Sequence, residues 1–230
     1  MKKILVFGAH PDDVEFGCGG LLIKEIKNGA KVKIVVCSLG EAGTNGTPAG
    51  RKAESKACAK LIGAEIEFLN LGGDSHIENT PKNAFKIASI IRAYKPQIVL
   101  TTSLVENQHP DHLALAFMTR NACRLARYGG LKELKKQPVH NIESLYYYPS
   151  SPDFSVKPDL IIDVSQEYDM WVKSMSIHKS QMKTKDYLNL VCSRAKAYGA
   201  SIGVEYATIL WANETVQVES LSLIKSSRSY

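Results

Sequence analysis

A three-layer α/β fold built around a mostly parallel sheet is what this sequence predicts. Two features carry the prediction. Short apolar runs alternate with helix-like patterns from the first residues onward, the order expected of βαβ units with right-handed crossovers. The chain also has 230 residues, 44% of them hydrophobic and 23% charged. That is enough for one sizeable core, and we read residues 1–230 as a single domain.

Residues 4–7 (Ile-Leu-Val-Phe) are apolar and stop at Gly8, as a short buried strand does. Residues 16–28 read as a helix, in which Leu21, Leu22 and Ile26 share an amphipathic pattern with Lys24 and Glu25, and Gly29 ends it. A second strand covers 31–36. The stretch 38–50, rich in Gly, Thr and Asn, reads as a loop, followed by a helix over 51–62 and a third strand over 65–69. Pro81 suits the first turn of a helix that reaches residue 94, and a fourth strand occupies 97–101. Another helix runs from about 110 to 128. Further on the order is less regular: 144–148 and 160–164 read as strands, 167–182 and 185–198 as helices, and 206–212 as a short extra element. Residues 149–158 are the one candidate linker. The succession amounts to a Rossmann-like architecture, in which ligands bind outside the carboxyl ends of the strands where the strand order reverses.

Composition excludes several classes. The short apolar run after Met1-Lys2-Lys3 is not a signal-peptide core, and no stretch approaches the ~18 apolar residues of a membrane span. A cytoplasmic location with no membrane partner is the expectation. Cys18, Cys37, Cys58, Cys123 and Cys192 are scattered and never spaced Cys-x-x-Cys, so neither a disulfide framework nor a thiolate zinc site is indicated. A net charge of +6 is spread along the chain without aromatic interleaving. It fits an anionic small substrate better than nucleic acid.

The chemistry concentrates in two similar clusters, His10-Pro11-Asp12-Asp13 and His109-Pro110-Asp111-His112. Each follows a predicted strand, the first and the fourth, so topology alone brings them to one sheet edge. Within each cluster, residues three apart in a tight turn or first helical turn can point to one side. His10, Asp13 and one late histidine would make a three-ligand metal site with an open position for water. Taken singly, each residue has a plainer reading: Asp12 or Asp13 as a helix cap, His10 as a turn residue, His109 and His112 as surface or cap residues. Their joint placement favours the site.

The segment Gly8-Ala9-His10-Pro11-Asp12-Asp13-Val14-Glu15 and the later His109-Pro110-Asp111-His112 resemble the signature motifs of the LmbE/PIG-L superfamily of metal-dependent N-acetylglucosamine deacetylases. The similarity extends through the Gly-Glu-x-Gly-Thr-x-Gly loop at residues 40–46, through Arg51 and Glu54, and through the stretch 194–206. The resemblance implies that His10, Asp13 and His112 hold Zn2+, that Asp12 is the general base, and that His109 faces the reacting carbonyl as a cationic stabiliser or acid with Asp111 orienting it from behind. It further implies Arg51 as a substrate anchor, Asp74 as a ligand of a sugar hydroxyl, and Tyr187 as a group polarising the amide oxygen. Some relatives carry Arg where this chain has Asn141, which bears on recognition of an anionic aglycone. Trimers or hexamers are the implied assemblies.

Two histidines and one carboxylate suit Zn2+, and the same set can hold Fe2+ or another divalent metal. The activity expected is hydrolysis of the acetamide of an N-acetylated amino sugar. A dinucleotide-binding oxidoreductase would need G-x-G-x-x-G after the first strand, and Gly8-Ala-His-Pro-Asp-Asp does not supply it. A catalytically silent sugar- or partner-binding module on the same fold is the other reading. The presence of Asp12 and His109 argues against it.

Overall fold

The computed structural model describes residues 1–106, 109–150 and 156–220. Seven strands form one sheet: β1 (Lys3–Gly8), β2 (Lys31–Val36), β3 (Glu65–Phe68), β4 (Ile98–Thr102), β5 (Ser144–Tyr148), β6 (Leu160–Asp163) and β7 (Ala207–Ala212), in the order β3-β2-β1-β4-β5-β7-β6. β1 pairs in parallel with both β2 and β4, so the order reverses between β1 and β4. That reversal is the switch point at which such sheets bind ligands. β7 runs antiparallel between β5 and β6, so the short extra element expected at 206–212 is a full strand that completes the sheet.

Alternation along the strands divides the core. Leu5, Phe7 and Val35 face α3 (Pro81–Tyr94) and α4 (Pro110–Ala126), while Ile4, Val6, Ile34 and Val36 face α1 (Asp13–Lys27), α2 (Pro48–Ile62), α5 (Tyr168–Met175) and α6 (Tyr187–Ile202). Period-two side-chain alternation therefore buries both sheet faces, giving the three layers. No helix among the described residues is long and apolar enough to cross a membrane.

Several boundaries differ from the sequence expectation, each for a local reason. α1 begins at Asp13, three residues before its amphipathic stretch, and is kinked at Cys18, where φ is −144°. α2 begins at Pro48 because Thr47 caps it, its Oγ1 accepting from the Gly50 N–H at 3.1 Å, with Pro48 at the first position. The helix expected over 167–182 is broken: α5 stops at Met175, and a single 3-10 turn, Gln181–Lys183, follows. His178 lies in that break, fully buried. α6 starts at Tyr187 behind an Asp186 cap and runs four residues past the expected end, to Ile202, where Gly203 at φ 74° closes it.

Candidate metal centre and active site

β1 and β4 end side by side, and from each the chain turns into a helix through one His-Pro-Asp cluster. Each cluster closes a tight turn, with the Asp13 N–H on the His10 carbonyl at 3.4 Å and the His112 N–H on the His109 carbonyl at 3.2 Å. Asp12 takes φ 118°, a conformation that strains a residue with a side chain. Pro110 occupies the first position of α4, which puts Asp111 and His112 in its first turn.

The structure brings His10, Asp13 and His112 together. Asp13 Oδ2 accepts from the His10 backbone N–H at 2.9 Å and lies 3.5 Å from His10 Nδ1, while Oδ1 lies 3.1 Å from His112 Nε2. One donor atom from each of the three falls within 4.8 Å of the others. The other ring nitrogen of His10 faces away from this group. His10 Nε2 lies 3.1 Å from Asp111 Oδ2 and 3.3 Å from Asp74 Oδ1. Asp74 Oδ1 is also 3.4 Å from His109 Nε2, and these four residues form a second group with donors in mutual reach. Asp111 is held by the backbone N–H groups of Ser75 and Ile77, at 2.7 and 3.3 Å. The Asp74 N–H donates to Glu41 Oε2 at 2.9 Å, which ties the 38–50 loop to the site.

The charges are strongly coupled. Burial alone would lower the His10 imidazole, but its bonds to Asp111 and Asp13 push it up to about 12. Asp13, which burial would raise, is held well below the carboxylate range by His112 and His10. Asp74 is lowered mainly by its hydrogen bond with His10. Asp12 is pushed the other way, to about 7, by burial and then by the adjacent Asp13 charge. His109 is pulled below 6.5 by burial and by its histidine neighbours. The three donors His10, Asp13 and His112 could hold a metal ion, and the donor set matches the two-histidine, one-carboxylate pattern of catalytic zinc.

Arg51, expected as a substrate anchor, is 4% exposed. Its Nη1 donates to the Gly40 carbonyl at 3.0 Å and its Nη2 to the Pro11 carbonyl at 3.1 Å, with Asp12 Oδ2 at 3.7 Å. It therefore braces the turn that carries Asp12. Tyr187 is stacked on Phe16 with centroids 5.9 Å apart. Asn141 follows His140, whose Nε2 meets the Pro96 carbonyl at 2.6 Å, before β5 and at the amino edge of the sheet, opposite the edge that carries the clusters. A cavity of about 640 Å3 lined by Arg120, Arg124 and Arg127 lies toward that amino edge and includes none of the site residues. Sequence reasoning left Glu41 and His178 without a role, because each meets its partners only through long-range packing.

The sequence pattern of the family PIG-L, described as GlcNAc-PI de-N-acetylase, matches residues 5–123, just over half of the chain. Diacetylchitobiose deacetylase of Thermococcus kodakarensis is 28% identical over 229 residues, covering 90% of this chain and 81% of that protein. A protein named 4-oxalmesaconate hydratase, from Pseudomonas putida, is 27% identical over 185 residues, covering 73% of this chain and 69% of its own. Among solved structures, the conserved protein TT1542 of Thermus thermophilus superposes with a TM-score of 0.84 at 27% identity, covering 95% of this chain and 98% of that one.

Proposed function

Because the chain belongs to the PIG-L family of de-N-acetylases, we propose that it removes the acetyl group from an N-acetylglucosamine-type sugar or conjugate by metal-assisted hydrolysis. The observation that carries this reading is the meeting of His10, Asp13 and His112 beside Asp12 at the switch point of the sheet. His10 Nδ1, Asp13 and His112 Nε2 are assigned as the metal ligands. Asp74 and Asp111 lie instead on the far nitrogen of His10, where a carboxylate fixes the orientation of a ligating histidine.

A divalent cation bound there supplies Lewis acidity toward the amide carbonyl and makes a bound water more acidic. Asp12 takes the proton of the attacking water. Its carboxyl, near 7, is matched to that task at neutral pH and can return the proton to the departing amine. His109 is assigned to the carbonyl oxygen as a stabiliser or acid, with Asp74 Oδ1 3.4 Å from its Nε2. Arg51 holds the Asp12 turn, and Tyr187, stacked on Phe16, is assigned to polarise the amide oxygen. Family membership leaves the reaction open in principle, since one similar protein is named as a hydratase. The Asp12 and His109 pair is what amide cleavage needs, because the leaving nitrogen must gain a proton.

Zn2+, preferred over Fe2+ for this donor set, belongs to the same proposal, as do a single domain, a cytoplasmic setting and a homotrimer or homohexamer. A panel of N-acetylated sugars scored by acetate release, with zinc content measured on the same preparation, tests it. Acetate released in proportion to bound zinc supports the reading. A zinc-loaded protein that releases none from any member of the panel rejects it.

A further inference from the structure

Beneath the first turn of α1 lies a second buried cluster of Glu15, Cys58 and His178, which are 3%, 0% and 0% exposed. His178 Nε2 lies 3.5 Å from Glu15 Oε2 and 3.3 Å from Cys58 Sγ, and the Cys58 thiol donates to the Ser174 carbonyl at 3.0 Å. Glu15 Oε1 and His178 Nδ1 meet no partner among the described residues. Apolar side chains of similar volume would be at least as stabilising as a buried pair of this kind. The pair stands directly behind the turn that carries Asp12 and Asp13, with Glu15 in the first turn of α1.

That turn needs outside support. Asp12 at φ 118° is a strained conformation that persists only where its surroundings hold it. The kink at Cys18 separates residues 13–17 from the body of α1, so the turn leans on its neighbours. Trp171 Nε1 donates to the Glu15 carbonyl at 2.6 Å and Arg194 Nη2 to the Phe16 carbonyl at 2.9 Å. The His178 ring meets the Phe16 ring edge-on at 5.7 Å. The chain after His178 is itself anchored. Ser180 donates to Glu54 through its N–H and Oγ at 3.0 and 2.6 Å, and Asn45 of the 38–50 loop donates to Thr184 Oγ1 at 2.8 Å. All of these supports come from residues 171–194, outside the stretch that the family pattern matches.

The geometry points to His178 as a positioning residue that, through Glu15 and Phe16, holds the strained turn so that the Asp12 carboxylate is aimed into the site. The inference rests on the reading of Asp12 as the base. A second metal site is the competing use of the same donors. A ligating histidine almost always donates its other ring N–H, and the orphan Nδ1 together with the thiol bond to Ser174 speaks against it.

The test uses His178→Gln, which keeps an N–H near the Nε2 position, His178→Leu, and Glu15→Gln/His178→Leu, which removes both buried charges so that neither is stranded. We expect His178→Leu and the double variant to keep wild-type metal content and a KM within about threefold while kcat falls at least about tenfold, since a displacement near 1 Å can cost ~10² in rate. His178→Gln recovers most of that loss. In an Asp12→Asn background, His178→Leu causes no further loss, because it acts through Asp12. A double variant with wild-type kcat overturns the proposal, as does a full additional loss in the Asp12→Asn background. Two metals per wild-type chain falling to one in the His178 variants would replace it with a metal site. If Asp12→Asn itself keeps wild-type kcat, the base assignment fails, and that result is distinct from failure of the His178 role.

Discussion

Replacement of Asp12 by Asn separates its chemistry from its shape. Asn is close in size and tolerates positive φ better than Ala, so at φ 118° the turn survives where Ala would add strain of its own. The amide cannot accept the water proton. General-base catalysis of this kind is worth about 10²–10⁴ in rate, or about 3–5 kcal/mol of transition-state stabilisation. Stability moves the opposite way. Burial and the Asp13 charge push the Asp12 carboxyl up to about 7 from 3.8, and an acid whose folded pKa is raised penalises the folded state once the pH exceeds its unfolded value. At pH 8 the metal-free variant therefore melts no lower than metal-free wild type. Arg51 also keeps its bonds to the carbonyls of Gly40 and Pro11. The assay is steady-state acetate release alongside metal analysis and a thermal melt. A metal-loaded Asp12→Asn protein whose kcat stays within about threefold of wild type refutes the assignment of the base.

Three further outcomes follow from named contacts. His112→Ala removes the ligand that faces Asp13 Oδ1 at 3.1 Å, so the purified variant should lack stoichiometric zinc, and one that retains it rules His112 out as a ligand. Gly17→Ala would put a methyl 2.3 Å from the ring of Tyr148, which is pinned by its hydroxyl bond to the Phe7 carbonyl. Overpacking of about 1–3 kcal/mol should lower the melting temperature by about 2–12 °C, and an unchanged melt contradicts the close packing. Burial lowers the His178 imidazole, but the Glu15 charge and Cys58 leave it well above 6.5. Its stabilising effect is therefore complete below pH 6.5 and declines by about 1.4 kcal/mol per unit as the pH rises toward the folded value. The melting temperature of wild type relative to Glu15→Gln/His178→Leu, measured on chelated protein, should fall from pH 6.5 to 9, and one that rises contradicts a charged His178.

What could be read in advance follows the range of the forces involved. β1 and β4 were legible because Ile4 to Phe7 and Ile98 to Thr102 are apolar runs whose ends local residues mark, and the switch point followed from their order. The two clusters were legible as a candidate site because both stand next to strand ends, while the choice of His112 over His109 as a ligand came from the family resemblance. The placement of β7 between β5 and β6 was not legible, since strand pairing at that distance leaves no local pattern. The start of α1 was missed because Asp13 and Glu15 look like loop residues until His112 and His178 are seen to face them. The break after α5 has the same origin. His178 fits a helical spacing, but its partners Glu15 and Cys58 lie more than a hundred residues away. Arg51 was recognisable as important, yet its bonds to Pro11 and Gly40 became visible only in the fold.

His10, Asp13 and His112 are proposed to hold one catalytic metal beside Asp12. The most direct measurement strips the protein with a chelator and follows acetate release from an N-acetylglucosamine substrate as Zn2+ is added back. No activity without metal, a linear rise to one equivalent per chain, and no such recovery in His112→Ala are expected. Full acetate release by the metal-free protein, or equal recovery in His112→Ala, would contradict that assignment.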